Sequence, residues 1–355
     1  MRPGDGRVAI GERSIGPGAP VFIVAEAGVN HNGDPALAGR LVDAAAECGA
    51  DAVKFQTFTV DALVTRGAPK AGYQVETTGA EESQREMLAR LELGPFDLAA
   101  LRDRASTRGL VFFSAPFDEA SADALETLGV ALFKIPSGEI TNLPLLRHIA
   151  VKGRPIILSS GMASLEEVEQ AVAAIRSAGD PPLAVLHCLS AYPAPPGEIN
   201  LRAMDTLAGR LGCPVGLSDH TLGIEIAVAA AALGARIIEK HLTLDTSLAG
   251  PDHRASLDPP AFAALVRAIR SVESALGDGV KRPMPSEADT RRVARKSLVA
   301  ARALEAGRRL AAGDVAVKRP GTGISPAELP RALGRRLTRD VAADEVIPWE
   351  ALGQP

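Results

Sequence analysis

The chain has 355 residues, of which 46% are hydrophobic and 23% are charged, and its formal net charge at pH 7 is −4. A chain of this length exceeds a single small domain, and its composition is that of a globular protein with a large core. The slightly negative net charge excludes this chain from the strongly basic proteins that bind nucleic acids or anionic membranes.

Export and redox signals point to the cytoplasm. The N-terminal residues contain no uncharged apolar stretch of the signal-peptide type, and no apolar run is long enough to span a bilayer. The three cysteines, Cys48, Cys188 and Cys213, are scattered and lie in or after apolar runs, which is typical of buried free thiols in a reducing compartment. We therefore predict a cytoplasmic protein that binds neither membranes nor nucleic acids.

From residue 20 onwards, short runs rich in β-branched residues alternate with longer segments of helical spacing. The runs are the predicted strands, at residues 21–28, 52–58, 111–117, 132–138, 155–161, 183–189, 214–220 and 237–243. Near-continuous apolar strands that alternate with helices indicate a parallel sheet covered by helices. The pattern predicts an α/β protein, a (β/α)₈ TIM barrel. A doubly wound open sheet is the alternative, but it would more naturally carry a GxGxxG turn after its first strand, and that turn is missing.

Two segments outside this alternation shape the predicted architecture. Residues 61–93, after the second predicted strand, are either a lid over the barrel mouth or a passive surface loop. The polar, proline-containing stretch 281–292 is the predicted linker between a barrel domain (residues 1–280) and a second domain (residues 293–355). Short apolar segments broken by glycine and charged turns predict that this second domain is small and β-rich.

Polar side chains occur where the predicted barrel strands end, which is where TIM-barrel active sites lie. They are Glu26, Lys54, Gln56, Ser114, Lys134, Ser137, Glu139, Ser159, Ser160, His187, His220, Glu239 and His241. Together they predict one polar mouth. His187 is read as a packed core histidine, whereas Asn30, His31 and Asn32 form a polar loop after the first strand, in which His31 is either a third metal ligand or a loop contact.

His220 and His241 end adjacent predicted strands, which lie about 4.8 Å apart in a sheet. Two imidazoles at this spacing can hold one divalent metal ion, with water or substrate oxygens as further ligands. Mn²⁺ is the first choice, and Mg²⁺, Co²⁺ and Zn²⁺ stay open. Glu239 shares the strand face of His241 and is either a ligand or an orienting group. The alternative for the pair is two core histidines.

Lys54 and Lys134 are the second chemical signal. A lysine within a barrel strand is costly unless it meets an anion. With Ser137 and Ser159, the two lysines form a predicted cradle for phosphate or carboxylate. A Schiff-base lysine, or lysines paired with barrel carboxylates, are the alternatives.

Nine motifs, in order along nearly the whole chain, resemble those of the N-acetylneuraminate (sialic acid) synthase family. They are AEAGVNHNGD (25–34), AVKFQTF (52–58), KIPSGE (134–139), ILSSGM (157–162), LHCLSAYPAP (186–195), GLSDHT (216–221), EKHLT (239–243), GPDHRASL (250–257) and KRPGTGI (318–324). The resemblance implies a TIM barrel followed by an antifreeze-like (SAF) domain. It also implies a domain-swapped homodimer, in which the small domain of one subunit caps the barrel of its partner and Arg319 reaches the N-acyl group of the sugar.

The resemblance further implies a role for each matching residue. The phosphoenolpyruvate site would comprise Lys54, Lys134, Ser137 and Ser159, with Ser190 in place of an asparagine, and with Ser114 as a substitute for a phosphate-binding threonine where this chain has Ala115. The metal ligands would be His220 and His241, and the acid/base group Glu26. The sugar site would comprise Gln56, Glu139, Tyr192, Glu239, Asp252 and Arg319.

These roles predict a sialic-acid-type synthase. It would condense phosphoenolpyruvate with N-acetylmannosamine, or a related acylamino sugar, to a nonulosonic acid and phosphate by C–O cleavage. Two other enzymes stay open: a legionaminic or pseudaminic acid synthase, whose acceptor is a diacetamido-trideoxyhexose, and a metal-dependent keto-acid aldolase. A non-catalytic protein with a carbohydrate-binding C-terminal domain is disfavoured by the complete set of polar strand ends.

Overall fold

A computed structural model describes residues 6–354, which divide into two units between Gly277 and Asp278. The strands are β1 (Val8–Ile10), β2 (Arg13–Ile15), β3 (Phe22–Gly28), β4 (Ala52–Thr57), β5 (Val111–Pro116), β6 (Phe133–Ile135), β7 (Ile156–Ser159), β8 (Leu183–Cys188), β9 (Val215–Asp219), β10 (Ile237–His241), β11 (Ser297–Ala300) and β12 (Val315–Lys318). No helix in this described range is both long and apolar enough to cross a membrane.

Strands β3 to β10 form a closed, parallel barrel in which each strand pairs with the next. The barrel closes where β10 pairs with β3, in a register that places His241 beside Glu26, and Glu26 in turn lies beside Lys54 of β4. The predicted TIM barrel is therefore confirmed. The fourth predicted strand is shorter than expected, because Pro136 lacks an N–H donor and Ser137–Glu139 forms a 3₁₀ turn instead.

Most of the helices cover the outside of the barrel. In the first unit they are α1 (Pro35–Glu47), α2 (Val60–Leu63), α3 (Gly72–Thr78), α4 (Gln84–Ala89), α5 (Pro95–Thr107), α6 (Glu119–Leu128), α7 (Leu143–Ala150), α8 (Leu165–Ala178), α9 (Ala203–Leu211), α10 (Glu225–Ala232) and α11 (Pro259–Leu276). Local signals define their ends. Ser164 and Glu167 form a capping box at the start of α8, and Gly129, with a φ of 82°, ends α6 in the left-handed conformation.

Alternation along the strands produces two apolar layers. Outward-facing residues such as Val53, Phe55 and Leu217 pack against the helices. Inward-facing residues near the strand starts, such as Phe113 and Ile237, form a separate cluster. Three buried residues of the β1–β2 hairpin join that inner cluster, and they are Val8, Ile10 and Ile15. The hairpin therefore closes the N-terminal end of the barrel and leaves the other end for the polar side chains.

The second unit contains α12 (Ala288–Ala294), α13 (Leu329–Ala332) and the antiparallel pair β11–β12. Isolated bridges, such as Leu304 to Val341, extend the pairing around a small apolar core. The small β-rich unit is confirmed. The stretch predicted as a linker, 281–292, holds a 3₁₀ turn and most of α12.

Acid is expected to destabilise the second unit through Asp314. This buried carboxylate accepts hydrogen bonds from Arg308 Nε (3.0 Å), Arg302 Nη2 (2.7 Å) and the Ala311 N–H (3.1 Å). The arginines hold the pKa of Asp314 well below its usual range. A carboxyl whose pKa is lower in the folded than in the unfolded state stabilises the fold above pH ~4, and this stabilisation is lost as the pH falls further.

Asp314→Asn should therefore lower the free energy of unfolding at pH 7 by about 1–3 kcal/mol and flatten its dependence on pH below ~4. The single tryptophan, Trp349, lies in the second unit, so its fluorescence reports the transition. Asp289→Asn, which breaks only an exposed ion pair with Arg292, is the matched control and should change stability little. Identical unfolding curves for Asp314→Asn and the parent protein would contradict this prediction.

Candidate active site

A cavity of about 350 Å³ opens at the C-terminal ends of the barrel strands. Because side chains alternate along a strand, every second residue near the strand end faces this cavity. The predicted site residues that line it are Glu26, Lys54, Gln56, Lys134, Ser137, Ser159, Ser190, Tyr192, His220, Glu239, His241 and Asp252. The barrel thus gathers at one mouth residues that lie more than 200 positions apart in the sequence.

Ser114 was predicted to replace a phosphate-binding threonine, but its side chain faces away from the cavity. It pairs in register with the outward-facing Phe55, and its Oγ lies 2.7 Å from Thr57 Oγ1 in the layer between strands and helices. The inward position beside it is Ala115, which has no hydroxyl group. Ser114 therefore does not line the cavity and does not replace the missing threonine.

Two other predicted contacts lie outside the cavity lining. Glu139 is in the 3₁₀ turn after β6, where its Oε2 accepts a hydrogen bond from Asn142 Nδ2 at 2.7 Å. Arg319 belongs to the second unit, where it is exposed directly after β12. Its predicted reach into the barrel of a partner subunit remains a prediction. His187 faces outward and donates from Nε2 to Ile199 O at 2.5 Å, as a packed histidine does.

Glu239 is the centre of the charged network. Its Oε1 lies 3.0 Å from Lys134 Nζ, 3.2 Å from Lys54 Nζ and 3.1 Å from Ser218 Oγ. Both lysines are thus paired with carboxylates, as one of the alternatives predicted. Lys134 can still donate a hydrogen bond to an anion. Its ammonium group has three donors and uses two of them, on Glu239 and on Ser159 Oγ at 2.6 Å.

Glu26 and Glu239 have opposite pKa shifts although both are buried. Burial raises the pKa of Glu26, and its contact with Lys54 (3.1 Å) only partly offsets this. Burial also raises the pKa of Glu239, but the positive charges of Lys134 and Lys54 outweigh this effect, so the pKa of Glu239 is lowered. Two carboxyls whose pKa values are pushed apart are suited to different roles. Glu26 can exchange a proton, whereas Glu239 stays ionised and holds the lysines.

Each of the two histidines leaves one ring nitrogen available to a metal ion. Their ring centroids are 5.4 Å apart. His220 Nδ1 donates to Leu189 O at 2.7 Å, which leaves the lone pair of Nε2 free, and His241 Nδ1 is buried without a hydrogen-bond partner. Burial also lowers the pKa of His241, so its imidazole is neutral, as a ligand must be. These side chains fit a divalent cation.

Protein ligands beyond the pair are scarce. Within residues 6–354, no three His, Cys, Asp or Glu side chains converge as a metal site. His31, the suggested third ligand, instead accepts from the Gly33 N–H through Nδ1 at 3.0 Å and caps its own loop. A cation at His220 and His241 would therefore take its other ligands from water or substrate.

Several lining residues were not predicted from the sequence. Ser218 and Cys188 face the cavity, and the period of two along β9 and β8 is the signal that could have identified them. Tyr73, Gln74 and Met87 come from α3 and α4, in the segment whose role as lid or surface loop was open. Tyr73 packs on Tyr192, with ring centroids 4.9 Å apart, so this segment forms part of the wall. The residues of its three short helices do not lie at the ends of predicted strands, so the sequence pattern does not place them at the cavity.

The fold and the polar mouth define a TIM-barrel enzyme. The chain belongs to the NeuB family, whose sequence model matches residues 41–281, and a SAF domain model matches residues 295–353. The resemblance to the N-acetylneuraminate synthase family is thereby confirmed, as is the assignment of the small unit.

Named relatives match over nearly the whole chain. An N,N'-diacetyllegionaminic acid synthase of Legionella pneumophila is 46% identical, over 98% of this chain and 99% of the relative. The N-acetylneuraminate-9-phosphate synthase of Homo sapiens is 36% identical, over 95% and 94%. The crystal structure of an N-acetylneuraminic acid (sialic acid) synthetase from Leptospira borgpetersenii, in complex with citrate, superposes with a TM-score of 0.71 at 37% identity, over 80% of this chain and 94% of that one.

Proposed function

We propose that the protein condenses phosphoenolpyruvate with an acylamino sugar to give a nonulosonic acid and phosphate. The observation that carries this proposal is the meeting of Lys54 and Lys134 with His220 and His241 in one cavity. The lysines suit an anion, and the histidines suit a cation that activates a carbonyl group. Family membership favours a phosphoenolpyruvate-dependent synthase over a keto-acid aldolase.

The phosphoenolpyruvate site is proposed to comprise Lys54, Lys134, Ser137, Ser159 and Ser190. Lys134 and Ser159 are hydrogen-bonded, and Ser137 accepts from the Gly161 N–H at 2.9 Å. A side chain at Gly161 would place its Cβ 2.2 Å from Ser190 Oγ, so glycine keeps this cradle open. Protonation of Glu26 would free Lys54 from one of its two carboxylate partners, which favours an anionic ligand beside it.

The proposed reaction joins carbon 3 of phosphoenolpyruvate to the aldehyde carbon of the open-chain sugar. The alkene electron pair forms the new C–C bond, and the aldehyde oxygen takes a proton from Glu26 to become a hydroxyl group. Water adds at carbon 2 and gives a proton back to Glu26. The resulting phosphohemiketal loses phosphate by cleavage of its C2–O bond. The hydroxyl left by water becomes the keto group and passes its proton to the departing phosphate.

Two groups of side chains support these steps. Glu239 holds both ammonium groups in place, and Gln56 Nε2 donates to Glu26 Oε1 at 3.1 Å and orients the proton carrier. A divalent cation held by His220 and His241, Mn²⁺ in the first place, would supply Lewis acidity to the sugar carbonyl. Mg²⁺, Co²⁺ and Zn²⁺ suit the same pair.

The acceptor is the finer part of the proposal. We propose a diacetamido-trideoxyhexose, as a legionaminic acid synthase would use, ahead of the N-acetylmannosamine predicted from the resemblance. One part of the cavity wall is apolar and consists of Val29, Met87, Leu88, Leu91 and Phe117. Such a wall suits a methyl group at carbon 6. The 46% identity to the Legionella pneumophila enzyme supports the same choice.

A panel of acceptors tests this function. Phosphate release from phosphoenolpyruvate is measured with the diacetamido-trideoxyhexose, with N-acetylmannosamine and with N-acetylmannosamine 6-phosphate. We expect kcat/KM to favour the first by about 10- to 200-fold, the range that one group in an apolar pocket provides. A preference for the phosphate would overturn the proposed acceptor, and no phosphate release with any sugar would overturn the function.

We also propose that the active site is shared between subunits of a homodimer, with Arg319 of the partner subunit contacting the N-acyl group. Glu26→Gln and Arg319→Ala proteins, each inactive alone, are co-expressed with different tags. In a shared site, half of the randomly formed dimers are mixed and one of their two sites is intact, so activity should recover to about a quarter of the parent. No recovery in the purified mixed dimer would place Arg319 outside a shared site.

A further inference from the structure

The loop after β3 makes buried contacts that the proposed reaction does not use. Asn30 is 1% exposed, yet it does not line the cavity. Its Nδ2 donates two hydrogen bonds, to Leu242 O at 2.9 Å and to Ser256 Oγ at 2.8 Å. Both acceptors lie more than 200 residues away, beyond β10. The loop therefore ties the first barrel strand to the segment that follows the last one.

The contact with Ser256 leads to the active site. Ser256 Oγ donates in turn to the backbone oxygen of Asp252 at 2.7 Å. Asp252 lines the cavity, and its Oδ2 lies 3.9 Å from His241 Nδ1. A buried chain of two hydrogen bonds thus runs from Asn30 through Ser256 to the residue that presents its carboxyl group to the cavity.

Asn32 anchors the other side of the same segment. Its Nδ2 donates to Ala249 O at 2.8 Å, and its Oδ1 lies 3.3 Å from His253 Nε2. Gly250 lies between these anchors with a φ of 151°, and a Cβ there would be 2.6 Å from Asn32 Oδ1. Only glycine allows this close approach. The segment 249–256 is therefore held at both ends, with Asp252 between them.

We propose that Asn30 and Asn32 are positioning residues that hold Asp252 for the acceptor sugar. This inference rests on the proposed function and on the predicted place of Asp252 in the sugar site. The phosphoenolpyruvate residues Lys54, Lys134 and Ser159 make none of these contacts. Loss of the asparagine donors should therefore weaken acceptor binding and leave phosphoenolpyruvate binding intact.

Asn30→Asp tests the inference with almost no change in shape. The substitution replaces the donating Nδ2 with an oxygen that repels Leu242 O. We expect KM for the acceptor to rise by about 10- to 100-fold, as a displaced contact group causes. The Kd for phosphoenolpyruvate, measured by calorimetry, should match that of the parent. Asn200→Asp, at an exposed asparagine, is the matched control and should leave both values unchanged.

Ser256→Ala breaks the same chain of hydrogen bonds at its second step, and it serves as the test if Asn30→Asp does not fold. Ser256→Thr keeps the hydroxyl group and should have the KM of the parent protein. The rate of backbone hydrogen exchange in residues 249–256 reports how firmly this segment is held, and it can be measured without any enzymatic activity. This measurement therefore tests the inference even if the proposed function is wrong. Faster exchange with unchanged phosphoenolpyruvate affinity supports the inference. Unchanged exchange, or equal loss of both substrates, overturns it.

Discussion

His220→Ala and His241→Ala are each expected to lose bound divalent metal and turnover together. The two imidazoles are buried, with ring centroids 5.4 Å apart, and no further His, Cys, Asp or Glu in the described range joins them in a metal-binding group. Each substitution therefore removes one of the two side chains that would bind the cation. Because Lewis acidity contributes several kcal/mol, kcat should fall by about 10³-fold or more.

Metal content by elemental analysis and phosphate release are measured on the same samples. His187→Ala is the control, because His187 faces away from the cavity and binds only Ile199 O. This control should keep its metal and its kcat. Normal metal content in both His220→Ala and His241→Ala would identify the pair as core histidines.

Lys134→Met is expected to weaken phosphoenolpyruvate binding strongly. The methionine keeps the apolar stem but removes the ammonium group, which contacts Ser159 and Glu239 in the cavity. The remaining cation, Lys54, would face the carboxylates of Glu26 and Glu239 alone, so the site would repel an anion. A buried charge contact of this kind is worth about 2–5 kcal/mol, which corresponds to a Kd about 30-fold to several thousand-fold weaker.

Calorimetric titration with phosphoenolpyruvate measures this loss, and a thermal melt of the same sample verifies that the barrel is folded. Lys281→Met, at an exposed lysine outside the barrel, is the control and should bind like the parent. A folded Lys134→Met protein with parental affinity would remove Lys134 from the proposed site.

The barrel and most of its mouth could be predicted because each depends on local pattern. Strands that are buried on both faces appear as continuous apolar runs, and their last inward residues are the polar ones, as Gln56 and His241 illustrate. The pairing of Lys54 and Lys134 with Glu239 could not be assigned to particular residues. It joins β4, β6 and β10 across the barrel, and such contacts depend on the register of closure.

Ser114 and the lid segment show two further limits. A shift of one residue along a strand moves a side chain to the opposite face, so Ser114 faces the helices although its neighbour Ala115 faces inward. Residues such as Tyr73 and Met87 enter the cavity from short helices whose placement depends on tertiary packing. The β1–β2 hairpin was missed because strands of three residues give no periodic signal.

The fate of the bridging oxygen of phosphoenolpyruvate tests the proposed condensation most directly. Phosphoenolpyruvate that carries ¹⁸O between carbon 2 and phosphorus is incubated with the enzyme and the diacetamido-trideoxyhexose, and both products are examined by mass spectrometry. C–O cleavage of a phosphohemiketal predicts a nonulosonic acid without label and phosphate that carries the ¹⁸O. Label retained in the sugar acid, or pyruvate formed in place of a condensed product, would contradict the proposed mechanism.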